Sequence, residues 1–376
     1  MQSFLGVHIK EMTYLYGIGL AAAALFAVLL TPFVKRFAIW VGAVDAPNHR
    51  KVHTRIMPRL GGLAIFMAFL GAFFVVFPAF DEAHAHTALG VLIGAAIIVL
   101  VGALDDKYEL SAKVKLLGQV IAASVVVMFD VKIEFLSSPF GDSAIDFSAA
   151  WLSVPLTIFW IVGVTNAVNL IDGLDGLAAG VSGIASATML IMALIMGNVT
   201  VTLLSALLLG SILGFLVFNF HPAKIFMGDS GALFLGFTLA SLSILGFKQV
   251  AVISFIAPLL ILGVPLSDTF FAIVRRIVNR TPISVADKSH LHHCLLQLGF
   301  SHRTTVLMIY GIAVFFGGSA LLLSQTEPWV TILLIAAILI VMEVGAEAIG
   351  IFSKRRKPLL DLYSRLRGKP VQRSVE

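Results

Sequence analysis

Charge is scarce in this sequence. Only 12% of its 376 residues are Asp, Glu, Lys or Arg, against roughly 25% in soluble globular domains, so a water-facing surface of ordinary size cannot be covered. Cysteine is scarcer still. Cys294 is the single one, which excludes an intramolecular disulfide and any metal site built on paired thiolates. A bound metal therefore needs oxygen or imidazole ligands. Fixed-period repeats, low-complexity tracts and long linkers are also missing, and the chain is expected to form one integral domain over 1–376.

What is present is apolar: 59% of the residues are hydrophobic and the mean hydropathy is +0.99. A membrane-crossing helix needs about 20 apolar residues. Such runs recur near 13–33, 60–80, 87–104, 116–130, 149–169, 177–197, 201–218, 231–247, 251–274, 305–324 and 330–352. The expected fold is thus an all-α polytopic membrane protein of about eleven transmembrane helices. No cleavable signal peptide is expected, because Lys10 and Glu11 precede a long first run that is followed by "VKRF".

Lys and Arg in short loops mark the cytoplasmic side. Of the 26 basic residues, 23 fall in the segments 34–59, 105–115, 219–230 and 275–304 and in the tail 353–376, all on one side of this topology. Lys10, Lys132 and Lys248 fall on the other. With an odd number of helices the N-terminus is expected outside and the basic tail 353–376 in the cytoplasm. The net charge of +5 then points to anionic membrane lipid and not to nucleic acid.

The remaining polar residues gather in islands at the ends of helices on that same side. "LDDKYELSAKVKLLGQ" sets Asp105 and Asp106 beside Lys107, Lys113 and Lys115, and adjacent carboxylates suit Mg²⁺, which prefers carboxylates, water and phosphate oxygens. The plainer reading is a solvated helix end. "NAVNLIDGLDGLAAG" places Asn166, Asn169, Asp172 and Asp175 among apolar residues, and carboxylates at membrane depth suggest function by default. Its alternatives are a polar helix contact or a proton or sodium site. "HPAKIFMGDSGALFLG" carries His221, Lys224 and Asp229 into a helix start. Free N–H groups there suit phosphate, but Asp229 would repel it unless a cation lay between, and a cap formed by Asp229 or Ser230 serves equally. "DKSHLHHCLLQLGF" supplies His290, His292 and His293. Only the first and last share a helical face, which disfavours zinc and leaves imidazoles donating to phosphate oxygens. "DAPNHRKVHTRIMPRLGG" has the basic flank expected of a cytoplasmic loop, which accounts for its cations but not for Asp45 or the paired glycines.

In this order, over about residues 45–300, the five islands resemble the polyprenyl-phosphate N-acetylhexosamine-1-phosphate transferases. "HLHH" with "GDSGALFLG" is similar to the bacterial undecaprenyl-phosphate GlcNAc-1-phosphate branch that starts wall teichoic acid and related glycans. The peptidoglycan branch, which transfers phospho-MurNAc-pentapeptide, carries three consecutive histidines, and Leu291 interrupts that run here. The resemblance implies a bacterial plasma-membrane enzyme, with UDP-GlcNAc and undecaprenyl phosphate meeting at its cytoplasmic face. Asp229 resembles the principal Mg²⁺ ligand, with Mn²⁺ as the substitute ion, and Asp105 and Asp106 resemble an acidic pair tied either to the metal or to base catalysis. Asn169 and Asp172 match residues lining the active site, and Asp175 and Phe226 match positions that hold uracil. His290, His292 and His293 would contact the diphosphate. Lys51 and His53, from the first island, are assigned to substrate binding, and self-association, where it occurs, is expected as a homodimer. The competing classes are a secondary transporter, whose carboxylates would sit mid-helix, and a non-catalytic membrane scaffold, which leaves the islands unexplained.

Overall fold

The computed structural model describes residues 2–45, 56–79, 82–137, 144–146, 149–247, 253–282, 289–326 and 328–349. The tail 353–376 and residues Lys51 and His53 lie outside them. The described residues are helical almost throughout. Its helices are α1 (Gln2–Val41), α2 (Gly61–Val76), α3 (Glu82–Tyr108), α4 (Ala112–Met128), α5 (Ala150–Leu170), α6 (Leu177–Met196), α7 (Val199–Asn219), α8 (Gly228–Phe247), α9 (Ile253–Ile261), α10 (Gly263–Val278), α11 (Leu291–Gln297), α12 (His302–Leu323) and α13 (Pro328–Ile349). Among the described residues seven helices contain a stretch long and apolar enough to cross a membrane, the stretches beginning at Tyr14, His84, Ala150, Leu177, Val199, Gly228 and His302. Gly61–Val76 and the last helix are shorter apolar candidates. Their outer faces carry exposed Phe33, Phe74, Phe159 and Val217, side chains that lipid rather than water would solvate.

Two elements depart from the apolar runs. The first helix extends well past 13–33, because nothing in "VKRFAIW" stops it before Gly42, which adopts a left-handed φ of 77°. The run 251–274 is divided into α9 and α10 at Leu262. Pro265 lies in the first turn of α10, where its missing N–H, which would otherwise reach back to the Ile261 carbonyl, is tolerated, so the proline suits a helix that starts afresh after Leu262. The second piece, α10, is amphipathic, with Asp268 and Phe271 buried and Phe270 and Ile277 exposed.

Helix α8 occupies the centre, packed against α2, α3, α5 and α6. Phe69 and Phe66 of α2 meet Phe234 of α8 edge to face, with ring centroids 5.7 and 5.5 Å apart, the arrangement aromatic quadrupoles favour. Gly210 and Gly214, one turn apart on α7, let the backbone of α1 in to carbonyl contact at Leu20 and Ala24, where any Cβ would collide. Small residues permit such approach in a bilayer, where helix association depends on close packing. Buried hydroxyls such as Thr165 and Ser211 donate to the carbonyls of Ile161 and Leu207 one turn back, so they enter the core with their hydrogen bonds satisfied. Two short hairpins complete the fold. In one, Val44–Asp45 (β1) pairs antiparallel with Met57–Pro58 (β2), Asp45 facing Met57. The other pairs Phe135–Ser137 (β3) with Ala144–Asp146 (β4).

Candidate active site

The polar islands converge on one end of the helical assembly. Asp105 and Asp106 lie in the last turn of α3, Asp172 two residues beyond α5, His221 two beyond α7, and Asp229 at the start of α8. They face a single cavity of about 990 Å³, which Asp175, Phe226, His293 and Arg59 also line.

The start of α8 is built from a distance. Asp106 accepts from the backbone N–H of Asp229 at 2.8 Å and of Ser230 at 3.0 Å, one on each carboxylate oxygen. It therefore caps a helix to which it does not belong, satisfying two of the N–H groups a helix start leaves open. The turn before it requires Gly228, whose φ is 72° and whose absent Cβ would lie 2.5 Å from the Asp106 carboxylate. With capping done by Asp106, the Asp229 side chain is free to turn into the cavity.

There Asp229 meets a cation of the chain itself. Lys115, from the first turn of α4, donates to Asp229 Oδ2 at 2.8 Å and to Asp105 Oδ2 at 2.9 Å. Asn169 donates to the other Asp229 oxygen at 3.1 Å. Asp172 stands differently: among the described residues no hydrogen bond or ion pair reaches its carboxylate. Burial, then the charges of Asp229, Asp106 and Asp175, push its pKa up to about 8, because each disfavours the ionised form. Four carboxylates with one lysine between them make a set of hard oxygen donors deficient in positive charge. Such a set suits Mg²⁺.

At the other end of the cavity Asp175 Oδ2 accepts from the Ala223 N–H at 3.1 Å and lies 2.9 Å from His221 Nδ1. Asn219 bridges the same region, accepting from Gly176 N and donating to Ile225 O. On either side of the undescribed residues that include Lys51 and His53, the chain is joined by the β1–β2 pair and by an Arg59–Asp45 ion pair of 2.7 Å.

The rings of the three histidines lie in a row, with centroids 6.0 Å apart from His290 to His292 and 4.1 Å from His292 to His293, but their partners differ. His293 lines the cavity. His290 is buried, with Nδ1 2.8 Å from Asp268 Oδ2 on α10, while Asp268 Oδ1 accepts from Leu291 N at 2.8 Å. His292 is 3% exposed, and its Nε2 presses on Gly173 of the Asp172 turn. Burial, then the neighbouring His293, pushes its pKa down to about 4, so it is neutral at pH 7. Lys115, Asn219, Asp268 and His302 belong to this region without having stood out in the sequence. Lys115 reads as one more positive-inside lysine, and Asp268 is a lone acid in an apolar run, a signal of the same kind as Asp172 but without a motif around it.

Residues 88–247 match the profile of glycosyl transferase family 4. A Bacillus subtilis (strain 168) protein named probable undecaprenyl-phosphate N-acetylglucosaminyl 1-phosphate transferase is 47% identical over 344 residues, covering 91% of this chain and 94% of that protein. The decaprenyl-phosphate N-acetylglucosaminephosphotransferase of Mycobacterium tuberculosis (strain ATCC 25618 / H37Rv) is 35% identical over 349 residues, 86% and 85% of the two chains. A phospho-N-acetylmuramoyl-pentapeptide-transferase of Anoxybacillus flavithermus (strain DSM 21510 / WK1) is 32% identical over 337 residues, 85% and 99%. With such relatives matched over nearly their whole length, this chain belongs to the polyprenyl-phosphate N-acetylhexosamine-1-phosphate transferases of glycosyl transferase family 4.

Proposed function

We propose that the protein transfers GlcNAc-1-phosphate from UDP-GlcNAc to undecaprenyl phosphate, giving undecaprenyl-diphospho-GlcNAc and UMP, as the first membrane step of wall teichoic acid or a related surface glycan. The observation that carries this reading is that Asp105, Asp106, Asp172 and Asp229 line one cavity, with Lys115 bridging Asp105 and Asp229, at helix ends and not mid-helix. Choice of GlcNAc over phospho-MurNAc-pentapeptide is supported by the higher identity to the N-acetylglucosaminyl transferase than to the muramoyl one, and by Leu291 within "HLHH". The N-terminus lies outside and the tail 353–376 in the cytoplasm, so the cavity opens where a soluble, anionic UDP-sugar meets a lipid phosphate held at the surface of a bacterial plasma membrane.

An oxygen of the lipid phosphate attacks the β-phosphorus of the donor, the bond from that phosphorus to the bridging oxygen breaks, and UMP leaves with the electron pair. Asp229, Asp105 and Asp172 would hold Mg²⁺, which when bound neutralises charge on the diphosphate. Asp106 is committed to the helix start and keeps Asp229 aimed. Lys115 supplies positive charge among these acids, and Asp175 with Phe226 holds the uracil. A phosphomonoester with a second pKa near 6 is largely dianionic at neutral pH, so attack needs no strong base, and positioning and charge neutralisation carry the reaction.

The test is UMP release by purified protein with UDP-GlcNAc or UDP-MurNAc-pentapeptide, with and without polyprenyl phosphate and Mg²⁺. Release is expected with UDP-GlcNAc, dependent on the lipid and stopped by chelation. Turnover of the pentapeptide substrate alone reverses the choice within the family. Ion or solute flux without UMP release supports a transporter instead.

A further inference from the structure

We propose that Asp175, His221 and His302 form a second cation site, selective for a late transition-metal ion of the Zn²⁺ type and chemically distinct from the all-oxygen cluster at Asp229. The three residues come from different parts of the chain: the turn between α5 and α6, the segment after α7, and the first residue of α12. One ligand atom from each can be chosen so that all lie within 4.8 Å of one another.

The donor types decide the ion. Two imidazoles and a carboxylate suit Zn²⁺ and its neighbours in the first transition row, whereas Mg²⁺ takes oxygen ligands. Ligands sharing a tetrahedral Zn²⁺ at bonds of about 2.0–2.1 Å stand about 3.3 Å from each other. His221 Nδ1 and Asp175 Oδ2, at 2.9 Å, are already close to that spacing. The remaining donor closes by about 1.5 Å at most, within what side-chain torsions supply.

Two further observations go beyond an ordinary His–Asp hydrogen bond. His302 Nε2 is buried and has no hydrogen-bond partner among the described residues. Its ring is also laid on that of His221, with centroids 4.2 Å apart and planes at 22°, an arrangement that brings two potential ligands together without pairing them. Asp175 Oδ2 also accepts from the Ala223 N–H, a hydrogen bond that orients the carboxylate towards His221, as outer contacts orient ligating carboxylates. The site opens on the cavity that all three residues line, so three protein ligands leave one position for water or a bound molecule.

One consequence rests on the function proposed above. If Asp175 holds uracil, an ion on the same carboxylate excludes the nucleotide, and Zn²⁺ competes with UDP-GlcNAc.

The experiment uses tag-free full-length protein in detergent, with Zn²⁺ binding measured by equilibrium dialysis and Co²⁺ as the spectroscopic probe of a four-coordinate site. One Zn²⁺ per chain is expected, with affinity reduced about tenfold or more in His221→Ala and His302→Ala and retained in His86→Ala, whose ring packs on Phe129 away from the cavity. His302→Gln and Asp175→Asn serve if an alanine variant does not fold, as judged by its thermal transition. At saturating Mg²⁺, Zn²⁺ is expected to raise KM for UDP-GlcNAc and leave kcat. Folded His221 and His302 variants that bind Zn²⁺ as the parent does overturn the site, as does equal loss in His86→Ala. A protein that binds Zn²⁺ at the triad yet never releases UMP keeps the metal site and overturns the proposed function. One that releases UMP while its Zn²⁺ affinity ignores both histidines does the reverse.

Discussion

Asp106 and Asp229 are joined through the backbone: the Asp229 N–H donates to Asp106 Oδ1 at 2.8 Å, with the Ser230 N–H on the second oxygen at 3.0 Å. Two neighbouring acids of one cavity thus have different duties, one ending in a helix cap and the other left to face a ligand. Asp106→Asn keeps the shape but sets an NH₂ group against one of two N–H donors. Losing a cap costs about 0.5–2 kcal/mol, and a charged acceptor on two donors belongs at the upper end. Both Asp106→Asn and Asp106→Ala are expected to lower Tm in detergent by several degrees and to lower UMP release through a displaced Asp229. Lost activity at an unchanged Tm in both variants would mean that Asp106 acts on a ligand and not on the helix.

Asp172 predicts a pH dependence of stability. Its folded pKa, pushed up to about 8, lies above that of a free Asp, near 3.9. Between those values the folded state binds more protons than the unfolded one, so stability is highest at the acidic end and falls as pH rises towards 8. Without divalent ions, Tm is expected to decline from about pH 5 to about pH 8, with a slope of at most ~1.4 kcal/mol per pH unit from this group. Asp172→Asn should flatten the decline, and so should saturating Mg²⁺, because a nearby cation favours the carboxylate. An equal slope in the parent and in Asp172→Asn removes Asp172 as its origin.

The sequence already displayed the apolar runs, because length and hydropathy alone determine which segments suit a bilayer. It displayed the islands too, because a carboxylate among apolar residues is conspicuous. Partnership was hidden. "GDSG" looks like a self-capping helix start, and only the fold brings in Asp106 from 123 residues earlier to perform that task. Lys115 is one lysine among many until α4 packs beside α3. In "HLHH" the spacing places His290 and His293 on one face, yet Asp268 draws His290 into the protein and His293 alone reaches the cavity. The break at Leu262 has Pro258 and Pro265 on either side, but hydropathy runs smoothly across it.

Gly173 and His292 are coupled by contact. A Cβ on Gly173 would overlap the His292 imidazole at Nε2, and the ring, 3% exposed, has little room to retreat. Overpacking of this kind costs typically about 1–3 kcal/mol, here on the turn that aims Asp172. Gly173→Ala is expected to lower both Tm and kcat, and Gly173→Ala/His292→Ala to recover part of the Tm, giving a coupling energy of about 0.5–3 kcal/mol in a double-mutant cycle. Additive effects would show that the two positions do not sense each other.

Lys115 predicts a competition. Its ammonium donates to Asp105 and Asp229, where a divalent ion would also gain from both carboxylates. Lys115→Met removes the competing charge and leaves a stem of similar length. Mg²⁺, read as the ion concentration that half-saturates thermal stabilisation in detergent, is therefore expected to bind more tightly by about a factor of 10, the equivalent of ~1.4 kcal/mol. The maximal rate of UMP release should nevertheless fall, because the positive charge near the diphosphate is lost. Asp229→Asn separates the two effects: it removes a carboxylate from the ion and should weaken Mg²⁺ binding and activity together, with added Mg²⁺ recovering little. Should Lys115→Met bind Mg²⁺ more weakly than the parent, the lysine supports the ion's ligands instead of competing for them. Near-normal activity of Asp229→Asn at limiting Mg²⁺ would remove Asp229 from the metal site, and with it the reason for Asp106 to hold that helix start so firmly.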